Sequence, residues 1–151
     1  MKFFTIALFL FSGICFGEDS QQVLEIINSE TKETAVLSVT LDKENLEGFK
    51  LKTKKKTKTI SLENAAKGKT LLRKRGIKVI SIKARNLKPD EGGRITITYL
   101  KKFRLFGSKY GRLRIKLQKE EDSWQVLHKG ELVTELIVTP HSLGISSIEL
   151  K

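Results

Sequence analysis

Side chains able to carry catalytic or metal chemistry are few and scattered in this sequence. The two histidines, His128 and His141, lack neighbouring ligands at metal-binding spacing, whereas a structural metal site takes about four ligands. The segment KGKT at 67–70 resembles the end of a phosphate-binding loop, but Glu63 stands where that loop needs a glycine and would repel phosphate. We therefore expect a non-enzymatic protein with no metal and no organic cofactor.

Basic residues form a more informative pattern. In GFKLKTKKKTKTISL, residues 48–62, lysine occupies every second position from Lys50 to Lys58. On a single strand these five lysines share one face, opposite Phe49 and Leu51. Edge strands use lysine to prevent sheet-to-sheet pairing, which explains one or two lysines better than five. A binding surface and a plain solvated face both remain open at this point.

A second basic cluster is the segment YLKKFRLFGSKYGRLRIK, residues 99–116. It predicts a long hairpin turning at Gly107-Ser108, with Phe106 exposed near the tip. Such a composition is typical of surfaces that contact anionic lipid or acidic glycan. It is also typical of single-strand nucleic-acid grooves, but export and the scarcity of aromatic residues argue against nucleic acid. A twisted hairpin whose aromatic residues pack inward is the structural alternative.

From these two clusters and the nearby Arg73-Lys74-Arg75 we select candidate polyanion-binding residues. They are Lys50, Lys52, Lys54, Lys56, Lys58, Arg73, Arg75, Lys101, Lys102, Arg104, Phe106, Lys109, Arg112 and Arg114.

The formal net charge of +12 is unevenly distributed along the chain. Residues 50–116 carry 23 Lys and Arg against three acids, whereas residues 18–49 and 117–151 are both net acidic. A concentration of one sign indicates an oppositely charged partner and says nothing about the fold.

The amino-terminal residues predict export. Lys2 precedes an apolar run over 3–14 that is too short to span a bilayer, and small residues at 15 and 17 predict signal-peptide cleavage before Glu18. An uncleaved anchor and a lipoprotein are alternatives, although Ile14 is too bulky for the position before a lipidated Cys15. Because residues 18–151 contain no cysteine, disulfides are excluded and a bacterial periplasmic or extracellular domain is favoured.

Most of the remaining sequence alternates apolar and polar residues at period two. This pattern predicts eight or nine half-buried strands, separated by turns such as Lys129-Gly130. Ser61 and Gly68 bound one short helix near 61–67. Trp124 is expected in the core. We predict that residues 18–151 form a single all-β domain, an antiparallel β-sandwich or open barrel that resembles small exported bacterial sandwich proteins in architecture alone.

The sequence leads to one functional hypothesis with two alternatives. We expect a cell-envelope binding module whose basic face contacts a polyanion such as anionic lipid, lipopolysaccharide or acidic glycan. A structural or adaptor protein that docks an acidic protein is the first alternative. An enzyme whose site is assembled from distant strands is the second.

Overall fold

The computed structural model describes residues 20–68, 70–72, 80–102, 104–141 and 144–151. These residues contain twelve strands and one short helix, so the expected all-β class is confirmed. In chain order the elements are β1 (Ser20–Asn28), β2 (Thr34–Asp42), β3 (Asn45–Thr53), β4 (Thr57–Ser61), α1 (Leu62–Ala66), β5 (Thr70–Leu72), β6 (Ile80–Lys88), β7 (Gly92–Lys102), β8 (Lys109–Glu120), β9 (Ser123–His128), β10 (Glu131–Leu132), β11 (Glu135–His141) and β12 (Gly144–Leu150). The expected signal peptide, residues 1–17, lies outside the described residues.

The strands form two six-stranded sheets. Sheet A has the order β12-β11-β1-β2-β3-β4, and sheet B has the order β10-β9-β8-β7-β6-β5. Neighbouring strands are antiparallel with one exception, since β1 and β11 run parallel. The chain leaves sheet A after β4, builds all of sheet B, and returns as β11 beside β1. This long return supplies the crossover that a parallel pair needs and corrects the expectation of a purely antiparallel sandwich.

The structure has more strands than the eight or nine expected, because two segments that read as single strands are divided and because β5 was not predicted. The 48–62 segment folds back into the hairpin of β3 and β4. The segment after Gly130 contributes β10 to sheet B and β11 to sheet A, with Val133 and Thr134 between them. Lysine continues at every second position across the first break, and Leu132, Leu136 and Val138 keep one alternation across the second, so period two alone does not reveal them.

The core lies between the two sheets and draws on both. Phe49, Val39 and Leu136 from sheet A are fully buried with Ile97 and Leu117 from sheet B. Their burial follows the predicted alternation, because every second side chain of a strand points to the same face.

Trp124 is a core residue, as expected, with only 4 % of its surface exposed. Its backbone N–H donates to the side-chain oxygen Oε1 of Gln21 at 3.0 Å. This bond ties the start of β9 in sheet B to β1 in sheet A.

Helix α1 connects the two sheets, as its contacts with β3, β4 and β6 show. Ser61 caps it by accepting a hydrogen bond from the backbone N–H of Asn64, and Gly68 follows its end at φ +70°. Ala65 is its buried residue. Both expected ends of this helix are therefore confirmed.

Candidate functional site

The lysine-rich hairpin, residues 45–61, does not form the single-faced lysine row that the sequence indicated. The chain reverses at residues 53–56, where the Thr53 N–H donates to the Lys56 carbonyl at 2.8 Å and the Lys56 N–H donates to Thr53 Oγ1 at 3.1 Å. Lys54 and Lys55 therefore occupy the turn. Only Lys50 and Lys52 lie on the outward face of β3.

Lys58 lies on the opposite side of the sheet from Lys50 and Lys52. It pairs with Leu51 across the β3–β4 ladder, and directly paired residues of an antiparallel pair project to the same face. Because Leu51 is buried, Lys58 is on the core-facing side of β4, the edge strand of sheet A. An inward-facing lysine on an edge strand opposes pairing with another sheet. Of the five alternating lysines, Lys50 and Lys52 thus face outward from sheet A, and Lys54 and Lys56 lie in the turn. Lys58 lies on the core-facing side of the edge strand.

The outer face of sheet A carries both signs of charge. The strand register places Lys52 beside Val36, Val36 beside Glu25, and Glu25 beside Glu135. Glu149 on β12 lies on the same face, next to Ile137. The acids of β1, β11 and β12 therefore share this surface with the lysines of β3, and their fields partly cancel those of the lysines.

The outer face of sheet B, in contrast, carries an array of cations in register. Three rows cross strands β6, β7 and β8 in that order. The rows are Ser81–Thr98–Arg112, Lys83–Thr96–Arg114 and Arg85–Arg94–Lys116. We call its six exposed cations the basic face: Lys83, Arg85, Arg94, Arg112, Arg114 and Lys116.

The basic face is a groove and not a flat plane. Short side chains, Thr96 and Thr98, form its floor on the central strand β7, while longer cations rise from the flanking strands. Seven of the residues named in the rows line a depression of about 350 Å³. Strands lie about 4.8 Å apart and alternate residues about 6.8 Å apart, so neighbouring cations are close enough for one extended polyanion to contact several of them.

The cations of the basic face are not paired with carboxylates of the described residues. The three ion pairs found among the described residues are Lys67–Glu63, Lys88–Glu91 and Lys119–Glu44, and none involves the basic face. Lys116 donates a hydrogen bond to the uncharged Gln118 side chain at 2.7 Å. The positive charge of the basic face is consequently directed to solvent.

Charge also changes along the long axis of sheet B. Asp90 and Glu91 lie in the β6–β7 turn, and Glu121 and Asp122 form the β8–β9 turn at the same end. From Gly92 to Lys119 the sequence has no acid and nine Lys and Arg. The sheet therefore has one acidic end, a basic middle and a basic opposite end.

That opposite end is the expected hairpin of residues 99–116, now resolved as β7, a turn and β8. Ser108 Oγ donates to the Arg104 carbonyl at 3.1 Å and accepts from the Arg104 N–H at 3.3 Å, which places the turn where Gly107-Ser108 predicted it. Phe106 is 88 % exposed, as expected. We call residues 101, 102 and 104–110 the hairpin tip; its cations are Lys101, Lys102, Arg104 and Lys109.

Thus the structure separates the candidate residues instead of joining them in one basic face. Lys50 and Lys52 belong to sheet A, whereas Arg112 and Arg114 belong to sheet B. The buried faces of the two sheets pack together, so their outer faces point in opposite directions. Arg73 and Arg75 lie outside the described residues.

The candidate residues chosen from the sequence lacked four members of the basic face: Lys83, Arg85, Arg94 and Lys116, of which Lys116 had been placed only in the basic cluster 99–116. The available signal was their position opposite the apolar residues of β6, β7 and β8. What was lacking was the order of the strands, which brings Arg85, Arg94 and Lys116 into one row although they are distant in sequence.

Other kinds of site receive no support from the residues that can be described. Among them, no group of three or more His, Cys, Asp and Glu side chains is arranged to hold a metal ion. No helix in the same part of the chain has the length and apolar character needed to cross a membrane.

Comparisons with protein-family models, with curated proteins and with solved structures found no match to this chain.

Proposed function

We propose that this domain is a non-catalytic binding module that holds a polyanion on the basic face of sheet B. The observation that carries the proposal is the register of six exposed cations on three adjacent strands, none of them in an ion pair among the described residues. The expected export signal would place the module in the bacterial periplasm or outside the cell. Anionic lipid, lipopolysaccharide phosphate and acidic glycan share the chemistry of repeated anionic groups.

The composition of the basic face suits anionic oxygen groups. Four of its six cations are arginines, whose planar guanidinium donates two parallel hydrogen bonds to a phosphate, sulfate or carboxylate. The hydroxyl groups of Thr96 and Thr98 can add hydrogen bonds from the groove floor.

Binding on this face would be multivalent and sensitive to salt. Each cation is exposed, so a single contact contributes little on its own. Several contacts made together displace the counterions condensed on a highly charged polymer, and the logarithm of the affinity then falls linearly with the logarithm of salt concentration.

The test is a salt titration of fluorescein-labelled heparin, followed by anisotropy, with two matched triple variants. Arg94→Gln, Arg112→Gln and Arg114→Gln together remove three charges from the basic face. Lys50→Gln, Lys52→Gln and Lys54→Gln remove three charges from the lysine-rich hairpin. We expect the first variant to reduce the log–log salt slope by about 2–3 and the second to reduce it by less than about 1.

Equal losses in the two variants would show that total charge matters and the basic face does not. Failure of the parent protein to bind heparin or lipopolysaccharide at low salt would reject the polyanion proposal. A partner then recovered from envelope extract at low salt and released at high salt would favour the adaptor that docks an acidic protein.

A further inference from the structure

The hairpin tip exposes two adjacent large apolar side chains. Leu105 is 84 % exposed and Phe106 is 88 % exposed, the highest fractions among the large hydrophobic residues of the described chain. Single exposed apolar residues are normal on a protein surface. An adjacent pair at the end of a projecting hairpin is less usual and indicates a contact made with something outside the chain.

The tip projects beyond the body of the sandwich. Leu100 on β7 is still buried and lies against Gly144 at the start of β12. Beyond it, the described residues of the tip are exposed, apart from the half-buried Ser108. Sheet A therefore covers the hairpin as far as Leu100, and the side chains described beyond it, Leu105 and Phe106 among them, are exposed to solvent.

Leu105 and Phe106 are presented by an organised turn. The two hydrogen bonds between Ser108 and Arg104 close the loop around them. Holding two apolar side chains outward in a closed turn reduces the conformational entropy lost when they are buried by a partner.

The tip also carries charge around its apolar pair. Lys101, Lys102, Arg104 and Lys109 are exposed and take part in none of the three ion pairs among the described residues. The acidic turns lie at the other end of β8, about 36 Å away at about 3.3 Å per residue. This separation favours an end-on approach to a negatively charged surface, with the acids pointing away from it.

We propose that the hairpin tip inserts Leu105 and Phe106 into the interface of an anionic lipid bilayer. The cations of the tip lie at the level of the head groups, where juxtamembrane lysine and arginine are attracted to anionic lipid. The apolar pair reaches the boundary with the acyl chains, roughly 5–10 Å below the surface. A soluble glycan offers anions but no apolar layer. This inference rests on the proposed function and specifies its partner.

The first experiment compares binding to phosphatidylglycerol–phosphatidylcholine vesicles, to phosphatidylcholine vesicles and to heparin. The variant is Leu105→Ser with Phe106→Ser, and the control is Leu132→Ser, another exposed leucine on sheet B that lies away from the tip. We expect the tip variant to bind the anionic vesicles at least about tenfold more weakly and to bind heparin like the parent. The control should match the parent in both assays, and neither protein should bind neutral vesicles well.

If the tip variant binds anionic vesicles as tightly as the parent, the insertion proposal is wrong. The proposal that the basic face binds a polyanion would not be affected by that result. Loss of heparin binding only in the basic-face triple variant would support the proposed function independently. The two proposals therefore fail in different assays.

A second experiment detects insertion directly, through tryptophan fluorescence, and does not depend on a variant that binds more weakly. Phe106→Trp places an indole at the tip, and brominated acyl chains in anionic vesicles should quench its emission and shift it to shorter wavelength. The parent supplies the control because its only tryptophan, Trp124, is 4 % exposed at the far end of sheet B. Absence of extra quenching in Phe106→Trp, with the protein bound to the vesicles, would reject insertion.

Discussion

The two most basic hairpins of this protein use similar residues to build different surfaces. The lysine-rich hairpin of β3 and β4 distributes its cations over an outer face, a turn and the core-facing side of an edge strand. The hairpin of β7 and β8 keeps Arg112, Arg114 and Lys116 on one face, and β6 extends that face with Lys83 and Arg85. The number of charges in a segment is thus a poor guide to the field that it produces.

The surroundings of the two hairpins increase the contrast. Lys50 and Lys52 share their surface with Glu25 and Glu135, whereas the middle of sheet B's outer face has no acid. Lys50 and Lys58 also each have an interaction partner within the protein. A run of lysine in sequence is therefore compatible with a largely structural role, while a less conspicuous set on three strands forms the larger array of cations on one face.

The largest effect on stability is expected from breaking the lysine-rich hairpin at Gly48. A Cβ added there would lie 2.2 Å from the Ile60 carbonyl oxygen, so Gly48→Ala must push β3 and β4 apart. We expect a loss of about 2–3 kcal/mol in the free energy of unfolding, measured by urea denaturation.

The matched control is Gly107→Ala in the other hairpin. Gly107 has φ +78° but no atom within 4 Å of an added Cβ, so only backbone strain of about 1 kcal/mol is expected. Equal stability losses in Gly48→Ala and Gly107→Ala would show that the close approach of β3 and β4 does not make Gly48 more sensitive to substitution.

A smaller effect is expected from removing the acids that share the outer face of sheet A. In the Arg94, Arg112 and Arg114 triple variant, adding Glu25→Gln and Glu135→Gln removes the carboxylates that β1 and β11 contribute to the face carrying Lys50 and Lys52. We expect the residual heparin affinity at low salt to rise about threefold, because fewer acids then oppose the positive field of that face. An unchanged heparin affinity would mean that these acids are not the reason why the outer face of sheet A binds heparin weakly.

The smallest effect concerns a cation that, unlike those of the basic face, has a carboxylate partner. Lys88 donates a hydrogen bond to Glu91 at 2.7 Å, and this bond together with the charge of Glu91 raises the pKa of Lys88 above its ordinary 10.5. Glu91→Gln should lower that pKa, as an NMR titration of the Lys88 side chain would show.

The associated stability has a defined direction with pH. Because the pKa of Lys88 is higher in the folded protein, the contribution is fully present below the ordinary pKa and is lost as pH rises through the raised value. Parent and Glu91→Gln should therefore converge in stability once the pH exceeds the raised pKa of Lys88. A difference in stability that grows at high pH would contradict this assignment.

Several features were predictable because they depend on neighbouring residues. The helix ends at Ser61 and Gly68, the turn at Lys129-Gly130 and the burial of Trp124 all follow from local pattern or residue type. The exposed Phe106 was predictable for the same reason, since it breaks the alternation of β7 near a glycine turn. The division of residues 48–62 into two strands was not, because its lysines and threonines suit a strand and a turn equally well.

The sequence by itself determined the all-β class, the concentration of cations in residues 50–116 and the existence of a basic hairpin with an apolar tip. These properties are local, since alternation, charge and turn chemistry act over a few residues. Only the tertiary structure decided that β3 and β7 belong to different sheets and that Lys83, Arg94 and Arg114 share a groove. Strand order depends on how all the apolar faces are buried together, and it sets which distant charges become neighbours.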